Sequence, residues 1–239
     1  IVYGRTHAGR TLEFGVSGKL ADDDLVMYDR ETESEWKQST GECLAGAFEG
    51  DSLSVRPAAM LSVREFREAY PDGVVLSPPG GESEAASEDD DPAPIDYDVS
   101  PYEEYAAGEG FGLAAHRGEA GRREWNGPDD LDPKAIVVGV ESDGDAIGFP
   151  VPWVRAAGGV VRTTVGERDV VAFGTEEGVH AYADPRHEFE VTDEGIVADG
   201  TTWDPTTGSA ADGRQLDRLP ARRLYAFTWV DDHGPDAFY

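Results

Sequence analysis

The chain has 239 residues, and 49 acids against 20 bases give it a formal net charge of -29. That balance leaves no basic stripe to neutralise phosphates, so nucleic-acid partners are disfavoured, and no run of eighteen apolar residues marks a membrane span. At 39% hydrophobic, the composition supports a buried core in one large domain or two small ones.

Residues 11–16 alternate apolar and polar side chains, as a half-buried strand does. Residues 25–28 read as a second short strand, and residues 29–34 as the turn after it. Ser62 and Glu65 have capping-box spacing, in which hydroxyl and carboxylate each serve the other's orphan amide, so a helix is expected from there to about Tyr70. Pro71-Asp72-Gly73 stops it, and Val74-Val75-Leu76 reads as a closing strand.

From residue 77 the composition shifts to Pro, Gly, Ser and acid, including Glu88-Asp89-Asp90-Asp91. Such a stretch buries too little apolar area to offset its ordering entropy, which marks residues 77–131 as a linker or surface excursion. Tyr97, Tyr102, Tyr105 and Phe111 are its candidate anchors to the body. Gly108-x-Gly110-x-Gly112 lacks both the preceding apolar strand and the spacing of a dinucleotide loop.

Residues 135–140 form a nearly unbroken apolar strand, with residues 146–149 as its hairpin partner across Ser142-Asp143-Gly144-Asp145. Pro152 starts a short helix that Gly158-Gly159 ends. Residues 160–165, 169–173, 179–182 and 189–191 continue as strands, and residues 221–230 read as a second copy of the helix near Phe66.

One phrase occurs twice. Trp36 precedes Thr40-Gly41 at the spacing by which Trp203 precedes Thr207-Gly208, and a Gly-x-x-Leu-x-x-x-Pro run comes after in each case, ending at Pro57 and Pro220. The reading is an α+β, β-rich fold of two pseudo-symmetric repeat units, built mostly of short antiparallel strands with a few short helices. The units span residues 1–76, incomplete at the amino end, and 132–239.

Lys19, Lys37 and Lys134 are the only lysines and Asn126 the sole asparagine. With the acids spread along the chain, this reads as adaptation to a salt-saturated cell, where screening shortens the Debye length to about 3 Å and high salt is required for stability. Cys43 stands alone, so no internal disulfide forms, and a buried thiol acting as apolar filler is expected.

Residues 12–20, then Asp24-Leu25-Val26-Met27-Tyr28-Asp29-Arg30-Glu31-Thr32, then Trp36, Gln38 and Thr40-Gly41 resemble the signature of the domain of unknown function numbered 3179, a family found in bacteria and common in haloarchaea. The resemblance covers both units, the second as a degraded copy, and implies no particular activity. Members of that family carry a Cys-Pro-x-Cys pair just ahead of the strand that here begins at Ile1. The resemblance therefore implies a halophilic archaeal protein truncated before that segment; the matching positions of the second unit, 173–178, hold no thiol either.

The leading functional expectation is a non-catalytic ligand-binding or scaffold module whose partner is an unidentified small molecule or protein. Its default pocket is a cleft between the units, lined by Ser17, Met27, Tyr28, Asp29, Arg30, Trp36 and Gln38, with Thr40 and Gly41 beside them. Trp203, Thr207 and Gly208 are the repeat counterparts. Structural roles stand beside these: Trp36 and Trp203 as core anchors, Met27 as packing, and Asp29-Arg30 as an ion pair fixing a turn. A second expectation is a metal-binding or thiol-redox protein, cytoplasmic or exported, whose thiol pair lies ahead of Ile1 and is supported by Met27 and His7. His180 and His187 form a further candidate pair across a hairpin. A third is a carboxylate-dependent hydrolase, which for glycosides needs acids about 5–9.5 Å apart.

Overall fold

A computed structural model describes residues 1–76, 82–83, 93–94, 103–118, 123–176 and 178–239. It is strand-rich, with small antiparallel sheets and short helices, and it divides into two compact units, residues 1–61 with 123–239, and residues 62–122.

In the larger unit, β1 (Thr6–His7) and β2 (Arg10–Thr11) make a short ribbon. The strand expected over 11–16 is interrupted at Leu12, which turns fully into the core, and resumes as β3 (Phe14–Ala21). β3 joins β4 (Asp24–Asp29), β5 (Glu35–Lys37) and β6 (Cys43–Ala45) in one sheet, in that order. Register slips between Val16 and Lys19, and Ser17 fills the bulge, its hydroxyl donating to the Val26 carbonyl at 2.5 Å and accepting from the Lys19 amide at 3.1 Å.

The smaller unit holds α1 (Val63–Ala69), β7 (Glu82–Ser83), β8 (Ala93–Pro94), α2 (Glu103–Ala107) and α3 (Gly112–His116). Ser62 and Glu65 close the expected capping box on α1. Val74, Val75 and Leu76 do not form the expected strand: they are 90%, 70% and 91% exposed and pair with nothing described, because apolar character alone supplies no ladder partner. Phe111 is buried, and the Tyr105 hydroxyl accepts from the Gly112 amide at 3.0 Å. Tyr97 and Tyr102 lie outside the described residues.

The larger unit resumes with β9 (Ile136–Ser142) and β10 (Asp145–Pro150), the expected hairpin, turning through Asp143 and Gly144 at φ 54° and 82°. Next come α4 (Val151–Ala156), β11 (Val160–Val165), β12 (Arg168–Gly174), β13 (Val179–Ala183), β14 (Glu190–Thr192), β15 (Gly195–Ala198), β16 (Thr201–Trp203), β17 (Arg222–Tyr225) and α5 (Ala226–His233). The sheet orders are β10-β9-β17, β11-β12-β13 and β14-β15-β16. Residues 221–230 are therefore half strand and half helix: Arg222–Tyr225 adds to β9, and α5 begins at Ala226.

The main core gathers Val138, Val140, Phe149, Val154, Val165 and Val170 between the β9 and β12 sheets. Gly139 and Gly148 clear the seat of Trp229, since a Cβ on Gly139 would overlap the indole. Trp229 is fully buried there and donates to the Ala237 carbonyl at 2.7 Å. By contrast α1, at the matching place after Pro57, buries none of its residues. Among the described residues no helix is long and apolar enough to cross a membrane.

Candidate functional site

The motif residues of the first sheet are built around a buried acid. Asp29, fully buried, accepts from Trp36 Nε1 at 2.9 Å, from the Thr32 amide at 2.6 Å and from the Thr32 hydroxyl at 2.8 Å. Burial alone would raise its pKa, but these hydrogen bonds hold the carboxyl below its ordinary value. Arg30 does not pair with Asp29, which those donors occupy; its guanidinium turns to Glu13 at 3.2 Å and to the Tyr28 hydroxyl at 3.2 Å. Met27 faces Trp36 across the β4–β5 ladder and packs in the cluster of Leu12, Trp36, Cys43 and Leu53. His7 sits edge-on to Trp36 and bonds Asp51 at 2.9 Å. Burial pushes the Cys43 thiol up. Among the described residues, no group of three or more His, Cys, Asp or Glu is placed to hold a metal ion.

Trp203 occupies a similar seat with a different partner, donating to the Ala198 carbonyl at 3.1 Å. Several hydrogen bonds of the turn after each tryptophan recur. Tyr3 donates its hydroxyl to the carbonyls of Gln38 and Ser39 at 2.8 and 3.1 Å, and Tyr182 donates to those of Pro205 and Thr206 at 3.0 and 2.9 Å. Gly41 and Gly208, at φ 74° and 77°, each lie under that tyrosine ring, where a Cβ would come within 2.6 or 2.5 Å. The Gly41 carbonyl accepts from Leu53 and the Gly208 carbonyl from Leu216. Further along, Gly4 donates to Ser54 as Ala183 does to Asp217, and Arg56 donates to Val2 as Leu219 does to Ala181. Thr40 and Thr207 are matched too, for both carbonyls accept from a side chain, Arg222 and Gln215 respectively.

A pocket of about 140 Å³ opens where equivalent segments of the two copies meet. Ile1, Val2, Ala58, Ala59 and Met60 line it from the first copy. Counted from the tyrosines and the prolines, their equivalents are His180, Ala181, Ala221, Arg222 and Arg223, and these line it from the second, with Arg218 and Leu219 beside them. Among the described residues no carboxylate lines it.

Arg218 is held rigidly. It stacks on the Tyr182 ring at 4.7 Å, donates to the Tyr182 hydroxyl at 2.6 Å and to the Thr206 carbonyl, and donates to His180 Nδ1 at 3.3 Å. Because Arg has no acceptor, His180 receives at Nδ1 and carries its proton on Nε2, which faces the Thr175 hydroxyl at 3.4 Å. His180 thus serves Arg218, whereas His187 lies tilted against Trp203 and edge-on to Phe189. Three of the five N–H groups of Arg218 are engaged by His180, Tyr182 and Thr206, so the group is oriented, and no carboxylate among the described residues forms an ion pair with it.

Arg222 joins the pocket to a buried charge network. Its guanidinium grips Glu141 at 2.7 and 3.1 Å and donates to the Thr40 carbonyl at 2.9 Å. Burial would raise the Glu141 pKa, but His233, 3.2 Å away, and the Arg222 guanidinium hold it below its ordinary value. Lys37 bridges Asp232, the neighbour of His233, and Asp22 at 2.8 and 3.1 Å, and those acids raise its pKa against the opposing effect of burial. Burial likewise pushes the Tyr3 hydroxyl well above its ordinary range, with Arg222 opposing.

None of Ser17, Met27, Tyr28, Asp29, Arg30, Trp36, Gln38, Thr40 and Gly41 lines this pocket, nor do Trp203, Thr207 and Gly208. Of these, Thr40 touches the lining, its carbonyl accepting from Arg222. His180, Arg218, Arg222 and Arg223 carry no catalytic motif, but one signal for them was present in the sequence. Extending the repeat three residues beyond Pro57 and Pro220 sets Ala58-Ala59-Met60 against Ala221-Arg222-Arg223.

The family described as a protein of unknown function (DUF3179) matches residues 1–237 of the chain. No curated protein and no solved structure matches it.

Proposed function

We propose that this chain, which belongs to the DUF3179 family of proteins of unknown function, is a non-catalytic binding module that takes a small anion at the pocket around Arg218. One observation carries the reading. In a chain with 49 acids and 20 bases, the described lining of the pocket gathers three arginines and a histidine and not one carboxylate. Arg222 is already neutralised by Glu141, whereas Arg218 and Arg223 pair with no carboxylate among the described residues. Placing part of a scarce basic complement on a cavity wall, and fixing Arg218 there with neutral partners, is what recognition of an anion requires. At about 140 Å³ the pocket falls below the roughly 300 Å³ at which sites for drug-sized ligands begin, so the ligand is small.

The recurring hydrogen bonds support a second part of the proposal: two copies of one unit, brought together by duplication, supply the two sides of the site. The acidic surface supports a third, a soluble protein of a halophilic cell that depends on salt and binds no nucleic acid.

Calorimetric titration of sodium acetate in molar potassium chloride tests the binding reading. The native chain gives a saturable isotherm, Arg218→Gln weakens it roughly tenfold to a hundredfold, the range expected for charge-assisted hydrogen bonds, and Arg218→Lys restores part. Because Arg218 also holds the Thr206 turn, the exposed Arg223→Gln serves as a second variant and weakens binding more modestly. Equal acetate affinity in all of these proteins rejects the site.

A further inference from the structure

We infer that the ligand is an amphipathic monoanion, a short unbranched monocarboxylate, bound with its carboxylate toward Arg218 and its alkyl chain against Ile1, Val2 and Met60. This rests on the anion-binding reading and specifies it. The pocket is built from equivalent backbone positions of two copies, yet the copies have divided its chemistry between them. Where the second copy places His180, Arg222 and Arg223, the first places Ile1, Ala59 and Met60. Val138, Val179 and Leu219 extend the apolar lining.

A naked inorganic anion would use only the basic half and leave the apolar half wet, with no gain from covering it. A neutral hydrocarbon would leave the Arg218 charge desolvated and unpaired, at a cost. A planar carboxylate matches the guanidinium fork, and an alkyl chain attached to it covers the apolar lining at the same time. The small volume excludes long lipids and branched or ring-bearing acids of drug size.

The test is a homologous series, acetate, butanoate and hexanoate, titrated calorimetrically beside inorganic phosphate and hexanol in molar potassium chloride. Affinity is expected to rise roughly fourfold per added methylene until the chain outgrows the pocket, with phosphate no tighter than acetate and hexanol far weaker than hexanoate. Met60 is largely exposed, so Met60→Gln is tolerated by the fold. It is expected to reduce the gain with chain length, so that hexanoate loses more affinity than acetate does.

Two negative results are distinguishable. If acetate and phosphate bind but affinity does not grow with chain length, the monocarboxylate assignment fails and the anion site stands. If no anion binds, or hexanol binds as tightly as hexanoate, the anion-binding reading itself fails.

Discussion

Replacing Asp29 with Asn removes one acceptor oxygen from a seat that is fully buried. The two carboxylate oxygens divide their work, Oδ1 receiving the Thr32 amide at 2.6 Å and Oδ2 receiving Trp36 Nε1 at 2.9 Å. Asparagine offers one carbonyl oxygen, and its NH₂ group meets the remaining donor head-on. One buried N–H is therefore left unsatisfied, at a cost of about 1–3 kcal/mol, and we expect about 2 kcal/mol. Urea unfolding followed by tryptophan fluorescence in molar potassium chloride reads this as a midpoint lowered by roughly 1 M with unchanged slope.

Acid titration gives an independent arm. The folded-state pKa of Asp29 lies below the unfolded value of about 3.9. Its contribution is thus complete above that unfolded value and is lost as pH falls through the lower folded one. The gap between native chain and Asp29→Asn should narrow over that acidic window. A loss under about 0.5 kcal/mol, or a gap independent of pH, refutes the argument, since it would mean that the Trp36 seat does not need the charged acceptor.

Gly41→Ala and Gly208→Ala should each destabilise by more than about 1 kcal/mol, because both add a Cβ at positive φ against a tyrosine ring. Thermal unfolding of the two variants should give similar losses, and a large cost at one with none at the other would contradict the equivalence of the two seats. The net charge of -29 predicts that the unfolding temperature climbs as potassium chloride is raised from about 0.1 M to molar levels, as the Debye length shrinks from about 10 to 3 Å. A melting temperature that is flat or falling with salt would remove the proposed salt dependence.

Much of the local structure was legible because it rests on local rules. The Ser62–Glu65 box, the Asp143-Gly144 hairpin and the Gly158-Gly159 stop each need only a few neighbouring residues. Features that depend on distant partners were not legible. β17 was hidden because Arg222-Arg223-Leu224-Tyr225 acquires strand character only by pairing with β9, more than eighty positions earlier. Val74-Val75-Leu76 erred the opposite way, having strand composition and no described partner. Adjacency in sequence pairs Arg30 with Asp29, while the fold turns Arg30 to Glu13 and gives Asp29 to Trp36. The motif around Trp36 drew attention for its repetition, and that repetition reflects a structural seat; the pocket uses the positions at which the copies differ.

A crystal structure grown with butanoate tests the central claim most directly. It should show the carboxylate within hydrogen-bond distance of the Arg218 guanidinium and the alkyl carbons against Val2 and Met60. Butanoate located elsewhere, or a pocket closed by the protein's own side chains, would contradict it.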